Sequence, residues 1–328
     1  MENNHRSIFN IEPPVIGEFQ SDGGQPPGFG TGRSQLAGKM PDLAAWNVQS
    51  PHFKRSTIAR DRAGIARAML ADCHFCAHHC GVNRLAGAGG LCHAGATPRF
   101  FSAQVEVSDE LELIPTFAMA LSGCDLRCDF CITGAQSWNP RAGEHFSTEE
   151  MAAKARAALQ NGARTVMVLG GEPTVHLPAA LELVAALPDS AKLVWKTNAH
   201  GSAEARQLLD GMFDVWLADY KFGNDECARR LAKIPDYTSV VRENLLWANE
   251  HSELIIRHLL MPGHVECCWR PVAEWLAENL PGVKVNLRSG FWPAWHSARH
   301  HELRGTVSES ETESAWRIAE QYELNVIH

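Results

Sequence analysis

The sequence has no apolar run near the roughly 20 residues that a membrane helix needs. No membrane partner is therefore expected. Its start, MENNHRSIFNIEPP, lacks the apolar stretch of a secretory signal. Runs of Lys and Arg are also missing. With 30 basic against 38 acidic residues the chain carries −8, which argues against nucleic acid as a partner. No segment repeats at a fixed period, which weighs against a solenoid. These absences point to a cytoplasmic protein. There thiols stay reduced, so ten cysteines gathered in clusters read as metal ligands rather than disulfides.

An apolar content of 45% supports a sizeable core. Residues 1–70 read as an irregular extension, because SDGGQPPGFGTGRSQ (21–35) is rich in Gly, Pro and polar residues. The extension includes a short helix near 55–71. Residues 71–110 are cysteine-rich and threaded with glycine. From 111 to 328 short apolar runs alternate with helical patterns. The runs are 116–122, 164–170, 192–198, 213–220, 253–260 and 283–289. Helices are expected from a capping box at Ser147 and Glu150, with Gly162 as the stop, then at 178–187, 203–211 and 270–279. A second capping box, Ser308 with Glu311, opens a last helix. Such alternation means a parallel sheet with helices outside, here an α/β partial (β/α)6 barrel. In barrels of this kind the chemistry gathers at the C-terminal ends of the strands.

SGCDLRCDFC (122–131) follows the first strand and places Cys124, Cys128 and Cys131 on a loop at that end. Three thiolates can hold three irons of a four-iron cluster and leave the fourth for a small molecule. A zinc site completed by histidine or water, or plain structural thiols, would use the same residue types.

The C-x3-C-x2-C spacing, Phe130 before the last cysteine and GGEP at 170–173 resemble the radical S-adenosylmethionine (SAM) superfamily. The resemblance implies a [4Fe-4S] cluster on Cys124, Cys128 and Cys131. Its open iron would chelate SAM, and reductive cleavage would give a 5′-deoxyadenosyl radical that takes hydrogen from a substrate. It also implies that Gly170, Gly171 and Glu172 meet the SAM amino group. Lys196 and Asn198 would reach its ribose or carboxylate. Asp219 and Lys221 end the fourth strand, and Arg257 ends the fifth as a clamp for the SAM carboxylate. Strand alternation turns Arg257 and His258 to opposite faces, with Arg257 inside.

Cys73, Cys76, Cys80 and Cys92 form a C-x2-C-x3-C-x11-C set. Four thiolates close a site for a second [4Fe-4S] cluster or a zinc ion. This segment, with RHL-x-MPG and IPDY further on, is similar to the group described as pyruvate formate-lyase activating enzyme homologues. The similarity implies a low-potential electron donor, a flavodoxin or ferredoxin. It leaves the substrate open between a protein glycine, a peptide and a small metabolite. A non-catalytic metal-cluster protein on the same scaffold, serving regulation or assembly, is the alternative. Cys267 and Cys268 read as spare thiols, and Cys227 as a structural one in a helix. The aromatics of FWPAW (291–295) either wall the pocket or close the barrel.

Overall fold

The computed structural model describes residues 54–108, 110 and 112–327. The irregular stretch expected over residues 1–50 lies outside them.

Helix α1 (Arg55–Met69) buries Ile58, Ala59, Arg62, Ala63 and Ala66, a stripe at helical spacing. It packs on α4 (Leu177–Ala186). Arg55 pairs with Asp214 at 2.8 Å, and the buried Arg62 donates to the carbonyl of Leu208 at 3.2 Å. The helix is thus anchored along its length to the outer layer of the molecule.

The sheet has nine strands among the described residues. The six apolar runs become β2 (Thr116–Leu121), β4 (Thr165–Gly170), β5 (Leu193–Thr197), β6 (Val215–Asp219), β7 (Glu253–Leu259) and β8 (Lys284–Arg288). They pair in parallel in that order, and β9 (Asn325–Ile327) adds a further parallel strand. The other edge is an antiparallel addition that periodicity did not announce. There β1 (Arg99–Glu106) pairs with β2, and β3 (Glu144–His145) with β1. The sheet is therefore open at both edges. Its inner layer packs Leu113, Ala118, Met167, Val194, Val215, Leu217 and Ile255 into one apolar cluster.

Outside lie α3 (Thr148–Gln160), α4, α5 (Ala203–Leu209), α6 (Asp225–Ala232), α7 (Tyr237–His251), α8 (Arg270–Asn279) and α9 (Glu309–Gln321), after the single turn α2 (Ala135–Trp138). Ser308 and Glu311 complete their capping box at α9. At α3 only half of the box forms: Ser147 accepts from the Glu150 amide, and the Glu150 side chain pairs with Lys154 instead. No helix among the described residues is long and apolar enough to cross a membrane.

Candidate active site and metal-binding cysteines

The C-terminal ends of β2, β4 and β5 meet around the three-cysteine loop. After Leu121 the chain passes through Gly123, whose φ of 90° a side chain would strain, and reaches Cys124. Cys124 and Cys128 are buried, and Cys131 is partly exposed. The Leu126 amide points at the Cys124 sulfur at 3.4 Å. Burial, then the charges of Asp125 and Cys128, push the Cys124 thiol well above its ordinary range. Burial pushes Cys128 up to about 12, with Lys221 pulling the other way and Cys131 adding to the rise. Metal binding displaces such protons, and buried sulfurs on one short loop with amide donors suit an iron–sulfur cluster.

The glycines of Gly170-Gly171-Glu172 permit a close approach within the protein. A Cβ on Gly170 would sit 2.2 Å from the Leu121 carbonyl oxygen, and one on Gly171 would sit 2.1 Å from that of Gly123. These glycines let the end of β4 lie against the cysteine loop itself. The Glu172 side chain is buried and bonded within the protein. Its carboxylate accepts from the Thr174 amide at 3.1 Å, the Thr174 hydroxyl at 2.6 Å, the Thr197 hydroxyl at 2.8 Å and the Asn198 amide at 2.7 Å. Burial and the charge of Asp125 push Glu172 up to about 7.

Asn198 is also committed to the protein. Its side-chain amide donates to Asp125 at 2.7 Å, and its carbonyl accepts from the His200 amide at 2.9 Å. Through these bonds it helps to hold the three-cysteine loop. Asp125 is fully buried and binds His200 Nδ1 at 3.1 Å. Burial would raise its pKa, but His200 and Asn198 more than reverse this and hold it below the ordinary carboxylate range.

Lys196, Arg257 and Asp219 lie on neighbouring strands. Glu110, on the segment before β2, draws two of them together: Arg257 Nη1 stands 3.3 Å from one carboxylate oxygen and Lys196 Nζ 3.9 Å from the other. Asn286 of β8 donates to the same carboxylate at 3.3 Å. Both cations were assigned to SAM from the sequence, and here a buried carboxylate pairs with each. Asp219 pairs instead with Lys221. His258 turns the opposite way from Arg257 and packs on Trp269, ring centroids 4.9 Å apart. Phe130 packs edge-on to Phe222 at 6.0 Å and against Phe291 at 6.3 Å. Of FWPAW, Phe291 is buried, whereas Trp292 and Trp295 are exposed.

The upstream cysteines lie against this site. Cys73, Cys76, Cys80 and Cys92 line one cavity with Phe75, Arg84, Thr174 and Val175. Cys76 bridges to Gly201 in an antiparallel contact, and the Ser202 amide donates to the Phe75 carbonyl at 3.0 Å. His78 Nε2 sits 2.9 Å from the Asp125 carbonyl oxygen. Arg127, inside the three-cysteine loop, donates to Cys124 O at 3.0 Å and to Leu91 O beside Cys92.

Sequence reasoning missed Glu110, Asp125 and His200. Each is an unremarkable polar residue locally, and its importance comes from partners far along the chain. Nor did it bring Cys227 together with Cys267 and Cys268. With His264 they place their sulfurs and an imidazole nitrogen all within 4.8 Å of one another.

The model of the radical SAM superfamily matches residues 120–276. An uncharacterised protein of Methanocaldococcus jannaschii is 31% identical over 301 residues, covering 88% of this chain and 86% of that protein. Among solved structures, a mutant of spore photoproduct lyase superposes with a TM-score of 0.50 at 12% identity, over 69% of this chain and 78% of the other. SuiB of Streptococcus suis bound to S-adenosylmethionine superposes with a TM-score of 0.48 at 17% identity, over 62% of this chain. This chain spans only 47% of that SuiB chain.

Proposed function

The chain belongs to the radical SAM superfamily, and on that premise we propose that it cleaves SAM reductively and takes hydrogen from a substrate. The observation that carries this reading is the three-cysteine loop, sealed from behind by Gly170-Gly171-Glu172 and flanked by Lys196, Asp219 and Arg257. When bound, the cluster would deliver one electron to SAM, the hard step that a cofactor and not a side chain performs. Cys124, Cys128 and Cys131 would hold it. The chain's own work is placement. Glu172 and Asn198 fix the loop through buried bonds, Asp125 and His200 brace it from the other side, and Phe130 with Phe291 packs beside the last cysteine.

The upstream cysteines would carry a second [4Fe-4S] cluster or a zinc ion. Their arrangement around a cavity favours a cluster, in which each thiolate takes its own iron. The contacts of the upstream segment with the three-cysteine loop through His78 and Arg127 suit a relay for electrons from a flavodoxin or ferredoxin. Substrate choice lies between a protein glycine, as for a pyruvate formate-lyase activase, and a peptide or small metabolite.

The test uses protein purified and reconstituted without oxygen. Iron and sulfide are counted, then SAM and dithionite are added and 5′-deoxyadenosine is measured. Production that disappears in Cys128→Ala supports the reading. A fully loaded cluster that neither binds SAM in calorimetry nor yields 5′-deoxyadenosine would sink it and leave a non-catalytic cluster protein.

A further inference from the structure

Four side chains, one from α6 and three from the turn after β7, converge on one point. Cys267 Sγ lies 3.3 Å from His264 Nδ1, Cys268 Sγ 3.5 Å and Cys227 Sγ 3.6 Å. Cys227 and Cys267 sulfurs are 3.9 Å apart, and those of Cys267 and Cys268 are 4.0 Å apart. A tetrahedral ion with bonds of about 2.0–2.3 Å has ligand-to-ligand edges of about 3.3–3.8 Å. The group already has nearly those dimensions.

We propose that Cys227, His264, Cys267 and Cys268 form a tetrahedral Cys3His site for a zinc ion, distinct from both iron–sulfur cysteine sets. A four-iron cluster does not suit it, because there each thiolate binds a different iron and the ligands stand further apart. Binding is balanced by proton release: up to three thiol protons leave as Zn²⁺ takes three thiolates and the neutral imidazole.

Local structure explains the convergence. His264, Cys267 and Cys268 are at i, i+3 and i+4, so a helical turn puts them on one side. That turn is π-helical over Val265–Trp269, with both the Cys268 and Trp269 amides donating to the His264 carbonyl, at 3.0 and 3.2 Å. Cys227 comes from the first turn of α6. Its amide is capped by Asn224 Oδ1 at 2.8 Å. The amide group of Asn224 also donates to the Cys267 carbonyl at 2.6 Å and faces the Cys227 sulfur at 3.4 Å. Gly223 makes the approach possible, since a Cβ there would lie 2.3 Å from the Cys268 carbonyl oxygen.

The surroundings suit a bound cation with three thiolates. Cys227, Cys268 and His264 are buried, and Cys267 is exposed, which leaves an entry path. With Nδ1 on the metal, Nε2 carries the proton. Nε2 faces the Arg230–Glu302 ion pair, 3.4 Å from Arg230 Nη2 and 3.7 Å from the Glu302 carboxylate, and a small shift toward the carboxylate would give that proton its acceptor. The ion would pin the loop after β6 to the loop after β7. That connection lies just beyond Asp219 and Lys221, so zinc would rigidify one wall of the barrel mouth.

The test is metal analysis of the full chain, with zinc and cobalt(II) as probes. One zinc per chain should survive dialysis. It should persist in Cys76→Ala/Cys80→Ala and in Cys128→Ala, and fall at least tenfold in Cys267→Ala/Cys268→Ala. Cobalt(II) should give visible tetrahedral bands with thiolate charge transfer. His264→Cys should keep the cobalt and shift those bands toward an all-thiolate spectrum, which guards against a variant that merely misfolds. Zinc that follows Cys76 and Cys80 instead, or cobalt without thiolate bands, overturns the proposal.

Discussion

At the scale of single residues, Glu172 carries the most informative bonds. All four of its partners donate, so the acid cannot be exchanged for an amide without setting a donor against a donor. Glu172→Gln should cost roughly 1–3 kcal/mol, read as a lower unfolding midpoint, with weaker SAM binding in calorimetry. Gly171 is constrained by space alone, because the atom that a side chain would strike is backbone. Gly171→Ala should therefore displace the cysteine loop. Iron bound at the three-cysteine loop after reconstitution should fall severalfold while metal at the upstream cysteines is kept, and an unchanged iron count would refute the packing argument. The sequence marks Gly170, Gly171 and Glu172 as a motif, but the atoms they serve are Leu121, Gly123 and Thr174. Only coordinates show that.

At the scale of elements, capping and periodicity explain much of what forms. Gly64 is an exception inside α1: it is exposed, helical and has no atom near the place of a Cβ. Gly64→Ala should stabilise the protein by about 0.5–1 kcal/mol, measured by chemical denaturation, with no effect on metal content. The strands were readable because buried parallel strands are continuous apolar runs of five to seven residues. Strand β1 was not, since RFFSAQVE alternates weakly and lies beside a cysteine segment that drew the reading elsewhere. Nothing local in the sequence announces the turn that holds His264, Cys267 and Cys268. Its π-helical geometry depends on Gly223 and Asn224, some forty residues upstream.

At the scale of the whole molecule, the three-cysteine loop is held from two directions. The upstream segment grips it through His78 and Arg127. The C-terminal segment grips it through Asp129, which binds His300 at 2.7 Å and Lys233 at 2.9 Å. Burial would raise the Asp129 pKa, but His300 and Lys233 bring it below its ordinary value. A depressed carboxylate contributes stability that is present above its unfolded pKa, about 3.9, and lost as pH falls through the folded one. Wild type should thus lose more stability than Asp129→Asn on acidification below about pH 4. Thermal unfolding across pH 3–6, an illustrative range around the ordinary carboxylate value of about 4, checks this, and parallel curves would count against it.

What the sequence determined by itself is local. Apolar runs set the strands, capping residues set helix starts, and cysteine spacing marked two candidate metal-binding segments. These signals act over a few residues, because side-chain periodicity and chelate spacing are short-range properties of the chain. The tertiary structure decided what those residues face. Assembling the sheet brought Glu110 to Lys196 and Arg257, Asp125 to His200, and Cys227 to His264, Cys267 and Cys268. Those pairs stand far apart in the chain and have no pattern in common. Their meeting follows from strand order and from loops leaving the same end of neighbouring strands, which only the packed core enforces.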